Sequence, residues 1–400
     1  MRTCRAATLG LFVACPLAAQ TSAPAGTVVP ITYEDARVYV PVRIGRDSLR
    51  WYILDSGSQP TILDTETARR VDLAVREGGT VTGAGAGSLR EGHARQVTLN
   101  VGGVPLGPTD VAVAPLDALL APYTGHEAAG VIGSRFFREH AVELDFARDA
   151  MTVRDPSAIG NSGEGLVVPF RLQGDIPVVT ARLTTATGQV LAVRLVVDLG
   201  AKATLLLTEP FIKRHALATQ FGRSVESALG AGVGGETHYA FVRAPRLALD
   251  GPQPVVADSI VVGLSVRGTL RDDWCDGLLG AEFLHRYHVT FDYAHQRMML
   301  LPREPARSPA EFDMSGMYLM ASQADHHRFV VHELVPGGPA AAAGIQVGDV
   351  VMAIDGRRAA QMTLSAVRDL LRSRDGGAVA LELDRQGTQA QLTVRLRRLI

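Results

Sequence analysis

An internal repeat limits what this chain can fold into more than any other feature. Gly130-Val131-Ile132-Gly133-Ser134-Arg135-Phe136-Phe137 returns 147 residues later as Gly277-Leu278-Leu279-Gly280-Ala281-Glu282-Phe283-Leu284. At the same offset Val142-Glu143-Leu144-Asp145-Phe146 becomes Val289-Thr290-Phe291-Asp292-Tyr293, and Gly83-Ala84-Gly85-Ala86-Gly87 becomes Gly230-Ala231-Gly232-Val233-Gly234. Upstream, Asp55-Ser56-Gly57-Ser58 falls on Asp198-Leu199-Gly200-Ala201 at offset 143. Blocks kept in one order at nearly one spacing predict two homologous lobes.

Each lobe reads as mainly β with one short helix. Trp51-Tyr52-Ile53-Leu54 and Leu195-Val196-Val197 are β-rich apolar runs that end in Asp-x-Gly, a strand entering a tight turn. The Gly-Ala-Gly-x-Gly stretches lie between strand-like segments and read as hairpin tips. A short helix is expected after each Gly-x-x-Gly turn, at Phe136-Phe137-Arg138 and at Phe283-Leu284-His285.

Two carboxylates at strand ends, each held by a glycine turn, can face one another across a lobe interface. At close range they cannot both ionise, so they share a proton and titrate as a pair. The ionised carboxylate can take a proton from water while the protonated one donates to a carbonyl oxygen. That chemistry hydrolyses peptide bonds with neither a metal nor a cofactor. The two Gly-rich hairpins would close over an extended peptide and exclude bulk water.

This constellation resembles the aspartic proteases of the pepsin and retropepsin clan. The shared marks are Asp-Ser-Gly, a Gly-rich flap, and the apolar-apolar-Gly elements Val131-Ile132-Gly133 and Leu278-Leu279-Gly280. A flap in each lobe looks more like a retropepsin dimer fused into one chain than like pepsin. The resemblance spans about residues 30–302 and implies a two-barrel acid-protease fold with Asp55 and Asp198 as the catalytic pair. Ser56, Gly57, Ser58, Leu199, Gly200 and Ala201 would form the dyad loops. Gly83, Ala84, Gly85, Ala86 and Gly87 would form one substrate-binding flap, and Gly230, Ala231, Gly232, Val233 and Gly234 the other.

One position departs from the family. The residue after each catalytic Asp is ordinarily a hydroxyl residue that braces the dyad across the interface. Ser56 fits, but Leu199 has no polar atom in its side chain. The alternative function is therefore a catalytically impaired homologue that serves as a peptide-binding scaffold.

A Pro-rich, mixed-charge stretch at 303–312 reads as a linker, and the repeat does not continue beyond it. Val335-Pro336-Gly337-Gly338-Pro339-Ala340, then Gly348-Asp349-Val350-Val351 and Ile354-Asp355-Gly356, resemble a PDZ domain. Thr363 should cap a helix with Leu364, Val367, Leu370 and Leu371 on one face. The resemblance places a carboxylate-binding loop at Ser315-Gly316-Met317-Tyr318-Leu319. A peptide would add to the strand from Tyr318 by β-augmentation, and Leu364 and Val367 suggest an apolar last residue. The other reading of the module is that it binds no free C-terminus and only packs on the lobes.

Residues 1–19 have a secretory-signal order: Arg2 and Arg5, the apolar run Ala6–Ala14, then Leu17-Ala18-Ala19. The expected product is periplasmic or secreted and has no transmembrane segment once processed. Acylation at Cys15 fits less well, because Phe12 opens the box and Pro16 follows the cysteine. The remaining boundaries are one lobe over 27–160, a second over 161–302 and the PDZ module over 313–400. With Cys4 and Cys15 in the signal, Cys275 has no intramolecular partner and reads as a small apolar residue.

Composition closes off other classes. Hydrophobic residues at 46% are too many for a disordered chain. A net charge of −1 lacks the basic surplus that phosphate neutralisation needs, so no nucleic-acid partner is expected. Glu282, His285 and His288 could line a helix as metal ligands, but their repeat counterparts Arg135, Arg138 and Ala141 do not, and a solvated face explains them better.

Overall fold

A computed structural model describes residues 26–81, 83–160, 165–304, 310–373 and 375–400. The signal-like segment 1–19 and the linker positions 305–309 lie outside the described residues. The chain is mainly β, with two barrel lobes that share one strand order and a C-terminal PDZ domain.

In the first lobe the order is Thr32–Glu34, Arg37–Ile44, Arg50–Leu54, Gly130–Ile132, Ile62–Asp64, Val104–Ala114, Leu89–Val101, Arg76–Val81. Arg37–Ile44 also pairs with Leu89–Val101 and closes the sheet on itself. The second lobe repeats that order strand for strand: Arg171–Gln173, Ile176–Thr184, Val190–Asp198, Gly277–Gly280, Leu205–Leu207, Val255–Ser265, Gly235–Leu249, Val225–Gly232. Ile176–Thr184 on Gly235–Leu249 closes it in the same way. Alternating burial along these strands fills both barrels with Val, Ile and Leu.

A six-stranded sheet joins the lobes, in the order Thr27–Pro30, Ala150–Arg154, Ala141–Asp145, Tyr287–Asp292, Arg297–Pro302, Leu166–Pro169. At its centre Glu143 pairs with Thr290, its own repeat counterpart, while Val142 faces Phe291 and Leu144 faces Val289. A segment that pairs antiparallel with its own copy lies on a local two-fold axis, which relates the two Asp-x-Gly loops. Under the sheet Phe137 meets Phe291 edge-on at 5.1 Å and stacks on Tyr293 at 5.6 Å, fusing the lobes into one core.

The expectation of one short helix per lobe is too low. Helices Arg135–Glu139 and Ala281–Leu284 follow the Gly-x-x-Gly turns, and each lobe adds one more, Thr65–Arg70 and Glu209–Arg214. The first lobe also has helix Leu116–Thr124, with Pro122 inside it. Pro lacks the N–H that extends a helix and disguises the segment as a loop.

The PDZ sheet runs Met317–Ser322, Asp325–Leu334, Val350–Ile354, Ala378–Arg385, Thr388–Arg395, with Arg357–Arg358 beside the third strand. Helix Leu364–Leu371 starts at Thr363, whose Oγ1 accepts from the Ala366 N–H at 3.2 Å. Its Leu364, Val367 and Leu371 are buried in the core of this domain. No helix among the described residues is long and apolar enough to cross a membrane.

Candidate active site

Strand Arg50–Leu54 runs parallel to Gly130–Ile132, and the chain turns at Asp55, whose N–H donates to the Ile132 carbonyl at 2.9 Å. The second lobe does the same with Val190–Asp198 against Gly277–Gly280. Each turn is held by its own carboxylate. Asp55 Oδ1 accepts from the Gly57 N–H at 2.7 Å, and Asp198 Oδ1 accepts from the Gly200 and Ala201 N–H groups, both at 2.9 Å.

The two loops meet so closely that each glycine is dictated by the other's carboxyl. A Cβ on Gly57 would lie 2.6 Å from Asp198 Cγ, and one on Gly200 would lie 2.5 Å from Asp55 Oδ2. Only a residue without Cβ lets both carboxyls into that space. Burial pushes both acids up, and the neighbouring Asp55 charge drives Asp198 further, well above the ordinary carboxylate range. The two carboxyls therefore share a proton and titrate as a pair, with Asp198 the more strongly raised of the two.

Ser56 is 0% exposed and reaches across the interface. Its Oγ donates to the Val197 carbonyl at 2.7 Å and accepts from the Leu199 N–H at 3.2 Å. By the repeat, residue 199 should return both bonds to Leu54 and Ser56. Leu199 is instead 0% exposed within the apolar core and makes neither through its side chain. Half of the brace is present. Ser58 Oγ donates to the Pro60 carbonyl at 2.9 Å and so stiffens its own loop.

Above the carboxyls the two Gly-rich hairpins interlock. Gly85 N–H donates to the Val233 carbonyl at 2.9 Å and Gly87 N–H to the Gly234 carbonyl at 2.8 Å. The backbones touch: a Cβ on Gly85 would sit 2.5 Å from Gly234, and one on Gly232 would sit 2.8 Å from the Ala84 Cβ. Arg271 holds the first tip by donating to the Ala86 carbonyl. Between hairpins and carboxyls lies a cavity of about 550 Å³, lined among others by Asp55, Asp198, Gly83, Ala84, Gly230 and Ala231. Cys275 also lines it; burial raises its thiol to about 11, which leaves it protonated.

The PDZ domain is docked on this apparatus. Tyr318 Oη donates to the Leu229 carbonyl at 2.8 Å, Glu333 Oε2 accepts from the Ala228 N–H at 2.9 Å, and His332 Nε2 lies 2.7 Å from Glu236. All three ties fall on the second hairpin. Helix Leu116–Thr124 packs along the PDZ edge strand Met317–Ser322. Arg368 bridges the two, donating to the Tyr123 carbonyl and to the Leu319 carbonyl, both at 2.7 Å.

The groove expected at Gly316, Met317, Tyr318, Leu319, Leu364 and Val367 is thus filled from within the chain. Gly125 presses on Leu364, where a Cβ would come within 2.9 Å, and Val367 is buried. The loop N–H groups are also spent. Asp313 Oδ1 accepts from the Ser315 N–H at 2.9 Å and the Gly316 N–H at 2.6 Å, and Met317 N–H donates to Ser315 Oγ at 3.1 Å. An internal carboxylate occupies the nest anticipated for a terminal one.

Glu282 and His285 lie apart from one another's chemistry: Glu282 pairs with Arg372 at 3.0 Å and His285 stacks on Tyr33 at 3.7 Å. Sequence reasoning did not single out Asp35, Arg37, Lys202 and Arg368. They converge beside the cleft, and only their charge could have drawn attention to them.

Residues 40–136 match the family model described as Aspartyl protease, a span holding the Asp55 loop, the first hairpin and the turn into Phe136. Residues 330–385 match the model described as PDZ domain. The crystal structure of an aspartic proteinase from Irpex lacteus is similar at a TM-score of 0.44 and 15% identity, covering 70% of this chain and 98% of that one. No curated protein matches the chain. The chain carries an aspartic-protease-like domain and a PDZ domain.

Proposed function

We propose that this protein is an exported aspartic endopeptidase in which Asp55 and Asp198 act as the catalytic dyad under two flaps. The observation that carries the reading is the reciprocal contact of each Asp-x-Gly glycine with the opposite carboxyl, which leaves two acids sharing one proton in a 550 Å³ cleft. Asp55, ionised, takes a proton from a water as its oxygen attacks the scissile carbonyl carbon. Asp198 gives its proton to the carbonyl oxygen, and the tetrahedral intermediate collapses as Asp55 passes the proton it took to the leaving nitrogen and Asp198 recovers one from the intermediate's hydroxyl. The Gly-rich hairpins exclude bulk solvent and cover the peptide backbone. Export rests on the signal-like order of residues 1–19.

A peptide-library digest at several pH values tests this, comparing the parent with Asp55→Asn and Asp198→Asn. Cleavage by the parent that both substitutions abolish is the expected result. Cleavage that survives both would overturn the dyad.

A second reading rests on one observation, the apolar Leu199 in the brace position. In it the chain binds peptides without cutting them. Leu199→Thr, which can return the missing bonds, separates the two. On the peptidase reading the substitution raises turnover. A parent that is inert, and stays inert after Leu199→Thr, favours the scaffold.

A further inference from the structure

One wall of the cleft carries more positive charge than it can neutralise. Asp35 and Ala36, at φ +46° and +53°, form the two-residue turn between strands Thr32–Glu34 and Arg37–Ile44. Asp35 is 4% exposed, and three cations of similar burial converge on it: Arg37 (5%), Lys202 (7%) and Arg368 (7%). Arg37 Nη1 lies 2.9 Å from Asp35 Oδ2, while Lys202 and Arg368 share Oδ1. Arg368 also donates to the Tyr123 and Leu319 carbonyls, while its buried Nε finds no partner among the described residues.

The other acids nearby do not offset this surplus. Glu34 turns to His126 at 2.8 Å, and Glu282 is matched by Arg372. Glu91 and Asp272 line the same cavity, yet Glu91 faces His93 at 3.3 Å, and neither pairs with Arg37 or Lys202. The strain shows in Lys202, which burial and the Arg368 charge push down to about 7.

Arg37 and Lys202 both line the cavity that holds the two aspartates, and Lys202 follows Asp198 by four positions. Arg37 Nη2 lies beneath the second hairpin, 3.6 Å from where a Gly230 Cβ would be, and donates to no other group among the described residues. A guanidinium edge that opens on the cavity with a free donor, inside a cluster short of negative charge, offers a charge-assisted bond to an anion.

We propose that Arg37, backed by Lys202, forms a subsite for a carboxylate side chain of the peptide, so that the cleft selects substrates with Glu or Asp at one position. The inference rests on the peptidase reading and names its substrate class.

The test uses the mature full chain with Asp55→Asn, which keeps bound peptide intact, and calorimetry on end-blocked peptides carrying Glu or Gln at each position in turn. At one position the Glu peptide should bind at least about tenfold more tightly than its Gln twin, the size of one charge-assisted bond. Arg37→Met should erase that difference, and Lys202→Met, which leaves Arg37 in place, should reduce it. No Glu preference at any position, whether or not the peptides bind, overturns the subsite, as does a preference that survives Arg37→Met. Digestion of the same Gln peptides by the chain with Asp55 intact shows separately whether the peptidase reading stands.

Discussion

Because Leu199 cannot return its half of the brace, the cross-lobe support of the two Asp-x-Gly loops falls on one hydroxyl. Ser56→Ala removes a donor to the Val197 carbonyl and an acceptor from the Leu199 N–H, both buried. Each backbone group left without a partner costs about 1–3 kcal/mol, so the pair costs about 2–6 kcal/mol. The fused two-lobe core loses roughly 2–4 °C per kcal/mol, which places the expected fall in melting midpoint at about 4–24 °C. Ser56→Thr keeps the oxygen and should retain most of the stability. Thermal and urea unfolding of the three proteins, followed by the Trp fluorescence of the lobes, measures both numbers. A loss below about 1 kcal/mol, or an equal loss for Ala and Thr, would refute the idea that the hydroxyl is what ties the loops together.

Three further outcomes follow from other contacts. Gly200→Ala places a Cβ 2.5 Å from Asp55 Oδ2 and must part the carboxyls, so turnover of any peptide the parent cleaves should drop at least about a hundredfold; near-parental turnover would contradict the close approach. Asp198 is protonated in the folded chain at pH values where the unfolded chain has already released its proton. It therefore withdraws stability as pH rises from about 4, and Asp198→Asn should match the parent in urea at pH 4 and exceed it at pH 7, whereas parallel curves would deny the raised affinity. Asp313→Ala leaves the Ser315 and Gly316 N–H groups without their acceptor and should cost about 2–6 kcal/mol in urea unfolding, whereas Asp313→Asn, which keeps an acceptor oxygen, should lose less. Equal losses for both substitutions would mean that the acceptor oxygen at residue 313 does not hold the loop.

The lobes were legible because each is written twice. Glu143 meeting Thr290 in the central sheet is the offset of 147 turned into geometry, and the Asp-x-Gly loops and Gly-rich hairpins follow from local turn chemistry. Other features leave no local trace. Helix Leu116–Thr124 has no counterpart in the second lobe among the described residues to reveal it, and Pro122 masks it. The Asp35 cluster draws Arg368 from 333 positions away. A single arginine on an amphipathic helix carries no period or motif that points to a distant partner. The PDZ groove differs again: its loop and helix are where the pattern puts them, but the groups packed against them come from Asp313 and from another domain.

The molecule is built almost two-fold, yet the PDZ domain grips only the second hairpin, through Tyr318, His332 and Glu333. A peptide has a direction, and a truly symmetric cleft would accept it either way round. The PDZ domain holds one roof element, whereas the other is tied by Arg271, by the Leu270 N–H on the Ala84 carbonyl and by the tip contacts, which gives the cleft a front and a back. On the peptidase reading, the polarity of a bound chain would then be set outside the lobes, by a domain that does not touch the two carboxyls.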